Sequence, residues 1–286
     1  MTLFAPLSLV AGLLAAAAAL TGFSTAASGV TLKEPFEKTV PLRAGLEVRL
    51  HNSNGAVTFE AWDRPEVGIS AEKQVRAGTD ETARKVMAEI RIEVTPGPAG
   101  VRIETHMPKT ENGFFAGFLG QEINAGVSYK VHLPRQSAAV IENANGGVEL
   151  TGIHGKSHLK TSNGPITVRE AEGDLDLESS NGAITVAHSA GSLQAETSNG
   201  GIQAELTRFS PKDLRLETSN GAITLRLPRS SQFSVDAETS NGSVQSDFQV
   251  AGDKPGRRST LKGHVNGGGT TVYLRTSNGG VNLKGI

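Results

Sequence analysis

Along this chain, apolar side chains recur at fixed distances from one tripeptide. Ser-Asn-Gly, or a near copy, places asparagines at Asn54, Asn145, Asn163, Asn181, Asn199, Asn220, Asn241 and Asn278. Counted from each asparagine, positions −6, −4, +3 and +5 are apolar. Around Asn181 they are Leu175, Leu177, Ile184 and Val186; around the distant Asn54 they are Val48, Leu50, Val57 and Phe59. Only Ser157 and Ser246 break the rule, and the residues between are mostly Thr, Glu, Gln or Ser. Period-two alternation that restarts across a fixed turn predicts two short strands per unit, each burying one face. From Asn145 the spacings are 18, 18, 18, 21, 21 and 37 residues. A degenerate copy, Asn266-Gly267-Gly268, falls inside the longest gap, which is close to two units.

Two folds can use such a unit. Asn-Gly between alternating strands is a strong hairpin signal, but it can equally turn the corner of a β-solenoid. Pro165 follows one Asn-Gly pair directly. In a two-residue hairpin that position donates its N–H across the turn, and proline has none. A lone unit also buries too few apolar side chains to offset the entropy of ordering its backbone, whereas stacked units share one core. The expected fold is therefore all-β: a parallel β-helix-like β-solenoid of Ser-Asn-Gly repeats. Stacking turns sequence columns into surface stripes, with coils about 4.8 Å apart. The asparagines form a ladder along one corner. Position −2 is rich in hydroxyls (Thr161, Ser179, Thr197, Thr218, Thr239, Thr276), and position −3 carries Glu178, Glu196, Glu217 and Glu238. Four successive glutamates on one outward face form a candidate interaction surface for a cation or a basic partner. They equally suit a solvated face that keeps a sheet from aggregating.

Residues 76–135 interrupt the pattern. Thr79 can cap a helix over 79–90, with Asp80 and Glu81 in its first turn and Ala83, Val86, Met87 and Ile90 on one face. This helix is expected to cover an open end of the core. Strands are predicted at 90–94 and 101–105 around Pro96-Gly97-Pro98, and the alternation of Val127, Tyr129, Val131 and Leu133 predicts another. Phe114, Phe115 and Phe118 lie among glycines in the intervening loop. They are a second candidate contact surface, or rings folded over the solenoid end. Residues 1–28 are uncharged and apolar and end in Ser24-Thr25-Ala26-Ala27-Ser28. They read as a signal peptide cleaved near Ala27 or as an uncleaved N-terminal anchor, although no basic residue precedes the apolar run. The organisation expected is this segment, an N-terminal β region over 30–135, and a repeat solenoid over 136–286 continuous with it. The chain is then exported to the periplasm, cell envelope or exterior, with membrane contact only through the possible anchor.

Composition narrows the chemistry. Lys+Arg is 28 against 29 Asp+Glu, which argues against nucleic acid as a partner. Cysteine is absent, which removes disulfides, thiol catalysis and thiolate metal sites. The seven histidines are scattered, with no metal-ligand spacing, and read as structural or solvent-exposed. No phosphate-loop, nucleophile-elbow or calcium-nonapeptide pattern is present. One tryptophan and two tyrosines leave little platform for sugar. No catalytic residue, metal site or cofactor is expected. The irregular stretches leave one opening, where Asp247, Asp253, Arg257, Arg258 and His264 could converge.

The Ser-Asn-Gly-x-Ile/Val-x-Val repeats, the acidic helix 79–90, the lead-in Val127-Ser128-Tyr129-Lys130-Val131-His132-Leu133-Pro134 and the closing Leu274-Arg275-Thr276-Ser277-Asn278-Gly279 carry a resemblance. Over about residues 40–286 the chain resembles the bacterial putative-adhesin β-repeat family, domain-of-unknown-function family 4097. The resemblance implies a secreted or envelope-anchored solenoid, called an adhesin by architecture, and no catalytic residues. Some relatives sit in cell-envelope stress systems. The function expected is a non-enzymatic envelope or surface module, adhesin-like or scaffolding, with an envelope or surface protein or a glycan as partner. The alternatives are a polysaccharide-active β-helix enzyme and a periplasmic accessory to an envelope-stress sensor.

Overall fold

The computed structural model describes residues 29–108, 123–209, 214–253 and 259–286. The N-terminal region holds β1 (Val30–Pro41), β2 (Glu47–Asn54), β3 (Val57–Trp62), β4 (Glu66–Ala77), helix α1 (Asp80–Glu89), β5 (Arg91–Gly97), β6 (Gly100–His106) and β7 (Asn124–Pro134). The repeats supply β8 (Ala138–Asn145), β9 (Val148–Thr151), β10 (Ser157–Asn163), β11 (Ile166–Arg169), β12 (Glu172–Asn181), β13 (Ile184–Asn199) and β14 (Ile202–Phe209). They continue with β15 (Leu214–Asn220), β16 (Ile223–Leu227), β17 (Phe233–Asn241), β18 (Val244–Ser246), β19 (Thr260–Val265), β20 (Thr271–Asn278) and β21 (Val281–Gly285). Among the described residues the fold is all-β with one short helix. The N-terminal segment 1–28 and Phe114, Phe115 and Phe118 lie outside the described residues.

Each unit places one strand before its Asn-Gly corner and one after. The first strands pair in parallel in the order β6, β2, β8, β10, β12, β13, β15, β20, β17. The second strands run β7, β3, β9, β11, β13, β14, β16, β21, β18. Strand β13 serves both ladders, bending through a register shift between Val186 and Ala190. Asn181 pairs in parallel with Asn163 and Asn199, so the corners stack instead of closing hairpins. This arrangement is consistent with a β-solenoid. The inward positions agree with the sequence pattern: Leu177, Ile184, Leu193 and Ile202 are fully buried in one core.

The corner shows why the tripeptide recurs. Each corner glycine before the last coil donates its N–H to the asparagine carbonyl of the next coil, as in Gly164 to Asn181 at 3.0 Å and Gly182 to Asn199 at 3.0 Å. The residue after the glycine lends only its carbonyl, as Pro165 does to Val148 N–H at 2.9 Å. Proline is tolerated there because no ladder bond uses that nitrogen. A Cβ on Gly182 would collide with the carbonyl of Gly164, and the same holds at Gly200 against Gly182. The asparagine carboxamides form a continuous chain: Asn163 to Asn145 at 2.8 Å, Asn181 to Asn163 at 3.0 Å and Asn199 to Asn181 at 2.9 Å.

Three expectations need correction. The hydroxyl column at −2 is not a surface stripe. Its even spacing from the apolar −4 and −6 positions turns it inward, where Thr161, Thr197, Thr218, Thr239 and Thr276 are buried. Each donates to a corner glycine carbonyl of an adjacent coil, such as Thr218 to Gly200 at 2.8 Å. Asn266-Gly267-Gly268 forms no ladder corner. Strand β19 before it runs antiparallel to β17, and the Asn266 carboxamide is tied to Arg229 and Ser231 carbonyls. Coil order also departs from chain order, because the Asn278 coil inserts between those of Asn220 and Asn241.

Antiparallel strands finish both ends. Strands β5–β6 and β1–β4–β7 lie before the first coil, and β19 lies beyond the last. Thr79 caps α1, accepting from Thr82 N–H at 3.2 Å. The helix rests on β4 and β1, with Ala83, Val86, Met87 and Ile90 buried in the common core.

Candidate interaction face

The outward −3 column is set by register. Read along the stack it runs Glu142, Lys160, Glu178, Glu196, Glu217, Arg275, Glu238. The expected run of four glutamates is therefore three followed by an arginine, since the inserted coil places Arg275 between Glu217 and Glu238. Lys160 lies 2.5 Å from Glu178, and Arg215 lies 2.8 Å from Glu217. The hydrogen bond and charge of Glu178 hold the Lys160 ammonium above its usual pKa. Among the described residues, Glu196, Glu238 and Arg275 have no ion pair. These three charges line a shallow groove of about 350 Å³ together with Glu217, Ser219, Ser240 and Ser277. A neighbouring depression of about 190 Å³ shares Glu196 and Glu217 and extends the face to Asp176 and Glu178.

The histidines are spread over the fold and held by neighbours. His51, His106, His132, His154, His158 and His188 each lie within 4.0 Å of a carboxylate; the closest pairs are His158–Asp176 and His188–Glu205, both at 3.0 Å. His264 pairs with Ser234 Oγ at 3.0 Å. Stacking does what sequence spacing could not anticipate: it brings His158, Asp176 and Glu178 together, and the β5–β6 hairpin gathers Glu93, Glu104 and His106. Each trio could offer three ligand atoms to a divalent ion, but Lys160 already neutralises Glu178, and Glu104 faces Arg102 at 3.5 Å. Asp247, Asp253 and His264 form no such cluster among the described residues, and Arg257 and Arg258 lie outside them. Asp253 instead accepts the backbone N–H of Lys262 at 3.5 Å.

A separate concavity, about 640 Å³, lies between α1 and the hairpin, lined by Phe36, Lys73, Ile90, Ile92, Glu93 and His106. Sequence reasoning missed it because its walls come from β1, β4, α1, β5 and β6, brought together only by the antiparallel end.

Residues 169–284 match the family model described as Toastrack DUF4097. No curated protein matches the chain. Similar solved structures include a putative cell adhesion protein from Clostridium sporogenes ATCC 15579, at 13% identity and TM-score 0.34, over 88% of this chain and 100% of that one. A putative adhesin from Bacteroides fragilis NCTC 9343 is 8% identical at TM-score 0.36, over 88% of this chain and 97% of that one. The stretch 169–284, with the corners from Asn181 to Asn278, is similar to the Toastrack family, domain of unknown function 4097.

Proposed function

We propose that the chain is an exported, non-enzymatic β-solenoid of the envelope or cell surface, adhesin-like or scaffolding, that binds a surface protein or glycan through the face around Glu196, Arg275 and Glu238. One observation carries this reading. Parallel, in-register coils hold Glu196, Glu238 and Arg275 at fixed spacing on a sheet, without ion-pair partners among the described residues. Both signs of charge beside rows of exposed Ser hydroxyls suit polar recognition by a pre-ordered surface, which loses little entropy on binding. Export rests on the apolar segment 1–28. Among the described residues no helix is long and apolar enough to cross a membrane.

The test is direct binding of the purified chain to fractionated envelope proteins and to a glycan array, beside the double variant Glu196→Lys/Glu238→Lys. Saturable binding that the variant weakens at least about tenfold, with an unchanged melting temperature, supports the reading. Equal binding by both proteins, or none by either, contradicts it. Turnover of any polysaccharide, ester or phosphoester in parallel assays would overturn the non-enzymatic part.

A further inference from the structure

We infer that Asn241-Gly242 is a spontaneous modification site, the one corner of the ladder open to deamidation. In an Asn-Gly pair the glycine nitrogen, on losing its proton to base, can attack the asparagine Cγ. A C–N bond forms to the backbone nitrogen, the carboxamide C–N bond breaks, and ammonia leaves, closing a succinimide. Water then opens the ring at either carbonyl to give aspartate or isoaspartate. The net change is water in and ammonia out, with no oxidant or reductant. Two conditions gate it: a glycine N–H that is not already donating, and a carboxamide free to turn.

Interior corners fail both. The N–H groups of Gly55, Gly146, Gly164, Gly182, Gly200, Gly221 and Gly279 each donate to the asparagine carbonyl of the next coil at 2.7–3.0 Å. The asparagine preceding each of these glycines also has its Oδ1 held by the carboxamide of the next coil, as Asn220 is by Asn278 at 2.8 Å and Asn278 by Asn241 at 2.9 Å. Among the described residues Asn241 belongs to the last coil of the ladder. Among the described residues the Gly242 N–H has no acceptor and the Asn241 Oδ1 has no donor. Both residues are exposed. Among the described residues only the bond from Asn241 Nδ2 to Asn278 Oδ1, at 2.9 Å, holds the carboxamide.

Gly267 N–H also lacks an acceptor among the described residues. Asn266 beside it is clamped, however, with its amide nitrogen 2.9 Å from both the Arg229 and the Ser231 carbonyl. The pair Asn112-Gly113 lies outside the described residues. Conversion of Asn241 to aspartate removes the donor that ties the last coil to Asn278, and isoaspartate adds a methylene to the backbone at the corner. The chemistry therefore loosens the stack from one end only.

The test incubates the full chain in warm, mildly alkaline buffer and follows each Asn-Gly peptide by mass spectrometry, with separation of the isoaspartyl forms. The Asn241 peptide should convert at least about ten times faster than those of Asn163, Asn181 and Asn199, because an interior corner must first open locally. Chain unfolded in urea should convert all four at similar rates. Amide hydrogen exchange gives an independent readout: Gly242 should exchange at least about ten times faster than Gly182 and Gly200. Similar conversion at all corners of the folded chain would overturn the inference, as would a stable Asn241 while the unfolded chain converts.

Discussion

Replacing Ile184 by alanine tests the inward assignment of the repeat. Ile184 is fully buried and stacks between Ile166 and Ile202 on the coils to either side. Truncation removes three carbons, about 2.4 kcal/mol of transfer free energy at about 0.8 kcal/mol each. A cavity term adds to this, because ladder hydrogen bonds hold both neighbours and limit collapse. The expected loss is about 3–5 kcal/mol. Thr185, one residue on, points outward and is half-buried; its alanine variant should lose under about 1 kcal/mol. Denaturant unfolding followed by far-ultraviolet circular dichroism, with midpoints compared at a common slope, measures both. Equal losses would mean that the two faces of the strand are wrongly assigned.

Two further outcomes follow from buried polar groups. Thr218→Val keeps the shape of the side chain but strips the Gly200 carbonyl of its hydroxyl donor. It should cost about 1–3 kcal/mol in the same assay, while Thr218→Ser should stay near wild type. Burial pushes the Tyr129 hydroxyl up to about 12, with Thr105 hydrogen-bonded at 2.7 Å. A phenol whose folded pKa exceeds its unfolded value of about 10 gives full stability below pH 10 and loses it as pH rises through 12, by about 2–3 kcal/mol. A Tyr129→Phe variant should lose that part of the alkaline decline, and an unchanged profile would show that other groups cause it.

Much of this fold was legible because one geometric rule repeats. Alternation placed Leu177, Ile184 and Ile202 inside, Pro165 argued against hairpins, and Thr79 with the apolar stripe Ala83–Val86–Met87–Ile90 marked the helix. What escaped was relational. Nothing in residues 242–278 says which edge the final coil joins, because every coil offers the same ladder groups. The insertion of Asn278 beside Asn220, and Arg275 between two glutamates with it, appears only in three dimensions. The burial of Thr197 and Thr218 was missed for another reason. Hydroxyls read as outward by polarity, yet parity turns them in, and the corner carbonyls that satisfy them belong to other coils. The His158–Asp176–Glu178 trio was likewise invisible because its members sit on neighbouring coils.

The order of the last coils is the part of the account least dictated by sequence, and the absence of cysteine makes it directly measurable. Ser219, Ser277 and Ser240 are exposed one residue before their corner asparagines. Adjacent coils lie about 4.8 Å apart, within the roughly 4.4–6.8 Å that a disulfide spans between Cα atoms. Coils two apart are separated by about 9.6 Å. Mild oxidation of the Ser219→Cys/Ser277→Cys variant should form an intramolecular disulfide in nearly all molecules, and Ser219→Cys/Ser240→Cys should form almost none. The opposite result, a ready 219–240 bridge with 219–277 left reduced, would mean that the coils stack in chain order and would contradict the ladder described here.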